Sequence, residues 1–479
     1  MRTNKLMPRK KKIEETTPGV DKPIIELAKM AKTPQLVKGM KDILPQEQPY
    51  WDAVRDVIER ITRNYGFSRM DTPLVEDLAL YTHAVGRQTD IVEKEMYTMT
   101  DLGGNTLALR PEFTAAIARA YIEHGMVTHP QPVKLFTVGA LFRYDKPQEG
   151  RYRQHHQFNC EIVGEGKPAV DAQLIFMAHK FFSYLGIPSV LHINSIGCLE
   201  CRAVYRATLT EFYRSKRSLV CEDCKRRLAK NPLRLLDCKV ETCQPVKALA
   251  PHIVDSLCEL CKDHFMGVLE SIDEFEIPYQ HNPHLVRGLD YYSRTVFEFQ
   301  LQSQDPEASQ KNIALGGGGR WDNLIEVLGG QPTPACGFGL GIERTILALK
   351  SLETARGESL LPVKPKPQIF VAQLGEQAKR RSMLLFESIL DEGFTAASEF
   401  SKDSLKAQLE IANRLGVEFT IILGQKELID GTIIIRNMEG GEQEVVDIKK
   451  LIPVLRKKLT HEHGEGSTST PSTTPQKGR

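Results

Sequence analysis

The sequence predicts an α+β protein of several domains: mixed strands and helices at first, then a cysteine-rich helical insertion, then a separate α/β domain at the C-terminal end. Three observations point there. Strand-like segments of period two, such as residues 292–299, alternate with helical segments of period 3.6, such as residues 50–65. Between 196 and 280 the texture turns helical and lysine-rich, and eight of the 10 cysteines fall in that stretch. Beyond the Pro and Lys linker PVKPKP (362–367) the order becomes βαβαββ with a final helix near 449–458. A chain of 479 residues is long enough for two to four domains.

Composition narrows the class. Apolar content of 41% and charged content of 26% are those of an ordinary globular protein. The net charge of +2 does not by itself imply nucleic acid, although residues 1–12 carry Arg2, Lys5, Arg9, Lys10, Lys11 and Lys12 with no acid. No run reaches the roughly 20 apolar residues of a membrane span, so no membrane partner is expected. No apolar segment of a secretory signal follows the basic start, and Glu14, Glu15 and Asp21 disfavour a mitochondrial presequence, which leaves the cytoplasm. Residues 1–34 read as a flexible basic tail and 460–479 as a disordered one.

The elements follow in order. Trp51, Val54, Ile58, Ile61 and Tyr65 recur at helical spacing and predict one amphipathic helix over 50–65. Residues 142–164 (FRYDKPQEGRYRQHHQFNCEIVG) read as an antiparallel hairpin with Gln157, Asn159 and Glu161 on one face of its second strand. An arginine at the strand end, facing those groups, suits a zwitterion or a phosphate. Residues 285–298 (LVRGLDYYSRTVFE) combine a loop holding Arg287 and Asp290 with a strand placing Tyr292, Arg294, Val296 and Glu298 on one face. Gly316–Gly319 suggest a bulge or close backbone packing. In GFGLGIER (337–344) three glycines lead into a helix with Arg344 in its first turn, a weak anion-site signal when taken alone.

Taken together, KGMKDILP (38–45), LALRPEFT (107–114), the 142–164 hairpin, RGLDYY (287–292) and GFGLGIER closely resemble the successive motifs of the histidyl-tRNA synthetase family of class II aminoacyl-tRNA synthetases. The resemblance covers about 35–458. It implies a class II catalytic domain over 35–195 and 281–361, built on a mostly antiparallel sheet and interrupted by the insertion at 196–280, with an anticodon-binding α/β domain over 366–459. It also implies ATP with Mg2+, L-histidine and tRNA(His) as partners, and a homodimer formed partly through the first motif. The reaction it implies activates histidine on ATP with release of pyrophosphate, then passes the acyl group to the 3'-terminal ribose of the tRNA.

Residue roles follow from the same resemblance. Arg143 matches the arginine that grips the α-phosphate and the histidine carboxylate, Arg287 the arginine at the α-phosphate, and Arg344 the one at the γ-phosphate. Charge gathers on phosphate oxygens in both steps, so fixed guanidinium groups are suitable catalysts. Glu112, Thr114 and Gln157 match groups that take the α-ammonium, Glu161 and Tyr292 match readers of the imidazole, and Tyr291 completes the pocket wall. An imidazole with one donor and one acceptor nitrogen needs two complementary partners, and leaving either unpaired is costly. Gln148 and Arg151 at the hairpin tip are expected at the tRNA acceptor stem, with salt-dependent binding.

Two positions depart from the family pattern. Phe113 stands where a glycine or leucine is usual, and its bulk would shift the ammonium contacts. Trp321 replaces a pocket tyrosine, keeping the aromatic wall without a hydroxyl. In the insertion, Cys198/Cys201, Cys221/Cys224 and Cys258/Cys261 form C-x-x-C pairs, joined by Cys238 and Cys243. The first two pairs stand 19 residues apart, a spacing typical of a four-cysteine zinc site. Free thiols in a helical insertion account for the pattern as well, so no residue is assigned to a metal. A relative that kept the fold but lost catalysis is the competing class, and retention of Arg143, Arg287 and Arg344 speaks against it.

Overall fold

The computed structural model describes residues 34–302, 314–362 and 366–462. The two expected tails lie outside these residues except at their inner edges. The chain divides into two compact units, one running to Leu361 and one beginning at Pro362.

The strands of the first unit are β1 (Ser68–Arg69), β2 (Val75–Asp77), β3 (Thr98–Thr100), β4 (Thr106–Leu109), β5 (Val133–Phe142), β6 (Gln154–Val163), β7 (Ser189–Ser195), β8 (Tyr279–His281), β9 (Ser293–Leu301), β10 (Ala314–Arg320) and β11 (Ala335–Gly341). Its helices are α1 (Gln48–Asn64), α2 (Leu78–Ala84), α3 (Thr114–Glu123), α4 (Pro168–Tyr184), α5 (Leu199–Ser215), α6 (Glu222–Lys230), α7 (Gln244–Ala248), α8 (Glu259–Glu274), α9 (Leu324–Val327) and α10 (Ile342–Arg356). Eight strands form one sheet in the order β1-β5-β6-β11-β10-β9-β7-β8. Only β1 with β5 and β7 with β8 pair in parallel, so the sheet is mostly antiparallel as expected.

Strand alternation gives this sheet two unlike faces. Phe158, Phe297, Phe299, Phe338 and Leu340 point to one side and join Trp51, Val54, Ile58 and Ile61 of α1 and Leu174, Phe181 and Phe182 of α4 in a single core. Each such side chain contributes about 1.5–3 kcal/mol of burial energy, an upper bound because the unfolded chain is itself partly compact. The alternate positions Gln157, Asn159, Glu161 and Glu298 face the other side, where the site forms. The alternation predicted across 292–299 is interrupted: Arg294 lies at φ 47, and the register jumps from Gly319↔Val296 to Arg320↔Ser293. This bulge leaves Thr295, Val296 and Phe297 buried in succession.

The insertion is a helical lobe of α5 to α8 joined by short 3-10 turns. Asp90 accepts from Arg227 at 3.0 Å and from Arg234 at 3.2 Å, and Asn231 donates to Asp290 at 3.0 Å. Asp290, without an assigned role in the sequence reading, therefore anchors the lobe. Its own N–H donates to Val85 at 3.1 Å, and a Cβ on Gly86 would meet its carboxylate at 2.4 Å.

The second unit has five strands, β12 (Ile369–Gln373), β13 (Ala396–Ser398), β14 (Phe419–Leu423), β15 (Thr432–Asn437) and β16 (Gln443–Asp447), ordered β13-β12-β14-β15-β16. They alternate with α11 (Glu376–Asp391), α12 (Leu405–Leu415), a short α13 (Gln425–Asp430) and α14 (Leu451–Glu462). The βαβαββ order is as predicted, apart from α13. The final helix runs to Glu462, so residues 460–462 are helical rather than part of the expected tail.

Candidate functional site

Glycine shapes the floor of the site. On β11 Phe338 and Leu340 enter the core, so Gly337 and Gly339 face the opposite side, paired with Glu161 and Asn159 of β6. A Cβ on Gly337 would fall 1.5 Å from the Glu161 carboxylate, and one on Gly317 of β10 would fall 2.9 Å from the Arg287 guanidinium. Bare backbone there lets long polar side chains from neighbouring strands lie flat across the sheet. The result is a cavity of about 960 Å³.

Two buried carboxylates stand in it, joined through Thr114. Glu112 precedes α3 and accepts the first-turn N–H groups of Thr114 at 2.7 Å and Ala115 at 2.8 Å, and the Tyr291 hydroxyl at 3.1 Å. Glu161 accepts the Thr114 hydroxyl at 2.7 Å and the Trp321 indole N–H at 2.9 Å. Burial pushes the Glu112 carboxyl above its usual range despite these donors. Burial also lifts Glu161 to about 8, the bonds from Thr114 and Trp321 opposing and the Glu112 charge reinforcing the shift. Two such groups side by side are suited to an occupant that brings positive charge and N–H donors. The rings of Tyr291 and Tyr292 meet at a 44° tilt along the wall, their centres 4.8 Å apart.

Three guanidinium groups line the same cavity. Arg143 leaves β5 and donates from Nε to the Pro111 carbonyl at 2.8 Å. Arg287 is held by Glu298 of β9 at 3.0 Å, and Glu298 is braced in turn by Gln300 at 2.9 Å. Arg344, in the first turn of α10, donates to the carbonyls of Gly150 at 3.2 Å and Ala314 at 2.6 Å. His155 sits among them, lowered to about 3 by burial and then by Arg143 and Arg344, so it adds no charge at neutral pH. Three preset guanidinium groups in one cavity suit a polyphosphate.

Glu112, Thr114, Arg143, Arg151, Gln157, Glu161, Arg287, Tyr291, Tyr292 and Arg344 all line this one cavity. Gln148 does not: it is exposed at the hairpin tip, bridged to Arg151. Phe113 also differs from expectation, being fully buried with Ile117, Leu135 and Leu141 beneath the Arg110 guanidinium, away from the pocket. Trp321 is more than a wall, since its N–H fixes Glu161. Sequence reasoning gave no role to Asn159, His155 or Glu298, although all three line the cavity. All three had a legible signal: His155 and Asn159 share a strand face with Gln157 and Glu161, and Glu298 shares one with Tyr292.

The cysteines are grouped differently from the spacing argument. Cys198 and Cys201 lie with Cys258 and Cys261, whereas Cys221 and Cys224 lie with Cys238 and Cys243. The two C-x-x-C pairs adjacent in sequence thus belong to separate clusters.

Comparison with known proteins gives concordant results. The family model for histidyl-tRNA synthetase matches residues 39–219 and 222–345, and that for an anticodon binding domain matches 368–458. A histidine–tRNA ligase of Dehalococcoides mccartyi is 47% identical over 426 residues, spanning 89% of this chain and 100% of the relative. One from Pelotomaculum thermopropionicum is 42% identical, spanning 88% and 97%. Among solved structures, apo histidyl-tRNA synthetase of S. aureus aligns with a TM-score of 0.72 at 33% identity, covering 88% of this chain and 99% of that one. The Nostoc enzyme, at 19% identity and a TM-score of 0.60, shares the fold.

Proposed function

The chain belongs to the histidyl-tRNA synthetase family of class II aminoacyl-tRNA synthetases, and on that footing we propose that its cavity takes histidine against Glu112 and Glu161 and ATP against its arginines. The protein is a histidine–tRNA ligase: it joins histidine to tRNA(His) in two steps, with ATP as substrate. In the first, a carboxylate oxygen of histidine attacks the α-phosphorus and pyrophosphate leaves. In the second, a ribose hydroxyl of the tRNA attacks the carbonyl carbon and AMP leaves.

The observation that carries the residue assignment is the gathering of buried Glu112 and Glu161 with Arg143, Arg287 and Arg344 in one cavity, with the Arg287 guanidinium 5.9 Å from the Tyr292 ring. Glu112, Thr114 and Gln157 take the α-ammonium, while Glu161 and Tyr292 read the imidazole and Tyr291 closes the wall. Arg143 spans the histidine carboxylate and the α-phosphate, Arg287 steadies the α-phosphate as charge builds on it, and Arg344 holds the γ-phosphate. Mg2+ accompanies ATP as its counter-ion. Arg151 and Gln148, exposed on the hairpin loop, meet the acceptor stem.

We assign residues 35–195 and 281–361 to catalysis, 196–280 to the insertion and 366–459 to anticodon binding. No helix among the described residues is long and apolar enough to cross a membrane. Work on tRNA supports a cytoplasmic setting. A homodimer is supported by Leu36 and Val37 beside the first motif and Leu44 within it, which are 58%, 63% and 48% exposed.

Pyrophosphate exchange with each of the twenty amino acids tests the reading. Exchange is expected with histidine alone, and Arg287→Ala is expected to abolish it with the fold retained. Exchange that survives this substitution would remove Arg287 from the chemistry. Aminoacylation of tRNA bearing a GUG anticodon separates a ligase from a protein that only binds.

A further inference from the structure

We propose that the insertion holds two structural zinc ions, each in a tetrahedron of four cysteine thiolates: one on Cys198, Cys201, Cys258 and Cys261, the other on Cys221, Cys224, Cys238 and Cys243. In each set all four sulfurs lie within 4.8 Å of one another. A tetrahedral zinc with sulfur at about 2.3 Å requires sulfurs about 3.8 Å apart. Cys198 and Cys201 stand 3.5 Å apart, and Cys221 and Cys238 stand 3.9 Å apart. Disulfides would draw sulfurs together in bonded twos, and a multi-iron cluster would push its four cysteines farther apart; four near-equal neighbours fit one ion.

The backbone is arranged for thiolates. The N–H of Cys258 donates to Cys201 Sγ at 3.1 Å, and the N–H of Cys221 donates to Cys243 Sγ at 3.2 Å. Cys198, Cys221 and Cys258 each immediately precede a helix, α5, α6 and α8, with the second cysteine of each C-x-x-C in its first turn. Gly197 takes φ +65, where a Cβ would collide with the Cys201 side chain at 2.5 Å, so the turn into the first cluster is closed against other residues.

One divalent ion displaces the four thiol protons and leaves each site at a net charge of −2, which the donated N–H groups and helix starts offset.

The lobe has reason to need such staples. Between α5 and α8 the chain runs through the 3-10 turns Arg217–Leu219, Pro232–Leu235, Glu241–Cys243 and Ile253–Ser256, with only the short helices α6 and α7 among them. The second cluster is also close to the chemistry, because Cys238 and Lys239 line the catalytic cavity. Its ion would fix that wall.

The test is metal analysis of the untagged full chain after passage over a chelating resin. Two zinc per chain are expected. Cys198→Ser with Cys258→Ser, and separately Cys221→Ser with Cys238→Ser, should each leave one. Cobalt(II)-exchanged protein should show thiolate-to-metal charge transfer and the visible bands of a tetrahedral site. Fewer than two zinc in the unaltered chain, iron in place of zinc, or cobalt protein without those bands overturns the proposal, as does undiminished zinc in either variant. Because the unaltered chain decides stoichiometry, a variant that fails to fold leaves the test intact, and histidine-dependent exchange is not its readout.

Discussion

At the scale of single residues, Glu161 is the most consequential group in the cavity. Its indole donor predicts one outcome: Trp321→Phe removes the N–H at 2.9 Å and leaves a buried oxygen unpaired. An unsatisfied buried acceptor costs about 1–3 kcal/mol, roughly a 5- to 150-fold rise in KM for histidine. Steady-state exchange kinetics should show this with KM for ATP unchanged. Its protonation predicts a second. Below about pH 4.5 Glu161 is protonated in folded and unfolded chains alike, and between that value and about 8 only the folded pocket keeps the proton. The group therefore subtracts stability as pH rises through this window. Glu161→Gln should lose that contribution, so the Tm of the unaltered protein falls relative to the variant between pH 4.5 and 8 in calorimetry without ligand. Much of this pocket was legible. Glu112, Thr114, Glu161, Tyr291 and Tyr292, expected in one pocket from the family resemblance, line one cavity. The indole bond was not, because a hydrogen bond between residues 160 positions apart leaves no local trace.

At the scale of elements, the glycine strands β10 and β11 do what side chains elsewhere would prevent. Gly337→Ala should displace the Glu161 carboxylate, since its Cβ would stand 1.5 Å away. The expected outcome is loss of histidine-dependent exchange by at least 100-fold with ATP binding, measured by titration calorimetry, preserved within a few fold. Sequence reasoning read these glycines as a bulge and a helix start. Both features are present, at Gly319 opposite the β9 bulge and at Gly341 before α10. What spacing alone missed is that Gly337 and Gly339 clear room for residues of another strand, which becomes visible only once β6 and β11 are paired. The cysteine clusters carry the same lesson. Proximity in sequence joined Cys201 to Cys221, while the helices between them carry the second pair away to Cys238 and Cys243.

At the scale of the whole molecule, the two units have separate cores: one centred on Phe158, Phe182, Phe299 and Phe338, the other on Ile369, Val371, Ile421 and Leu455. Removal of residues 362–479 should therefore leave histidine-dependent pyrophosphate exchange within a few fold of the full chain. Aminoacylation of tRNA(His) should fall by 10-fold or more, and filter binding should show a shallower dependence of tRNA affinity on salt. The α+β class and the βαβαββ order were readable because strand and helix periods differ, whereas the lobe's short 3-10 turns carry no period to read. The helix cap at Glu112 has a further consequence. Because its oxygens already receive the N–H groups of Thr114 and Ala115, the carboxylate at the proposed amino-acid end is set in place by its own helix. Inhibitors that copy histidine's ammonium and ring would find that end ready-made, so chemical variation for potency belongs in the linker that replaces phosphate.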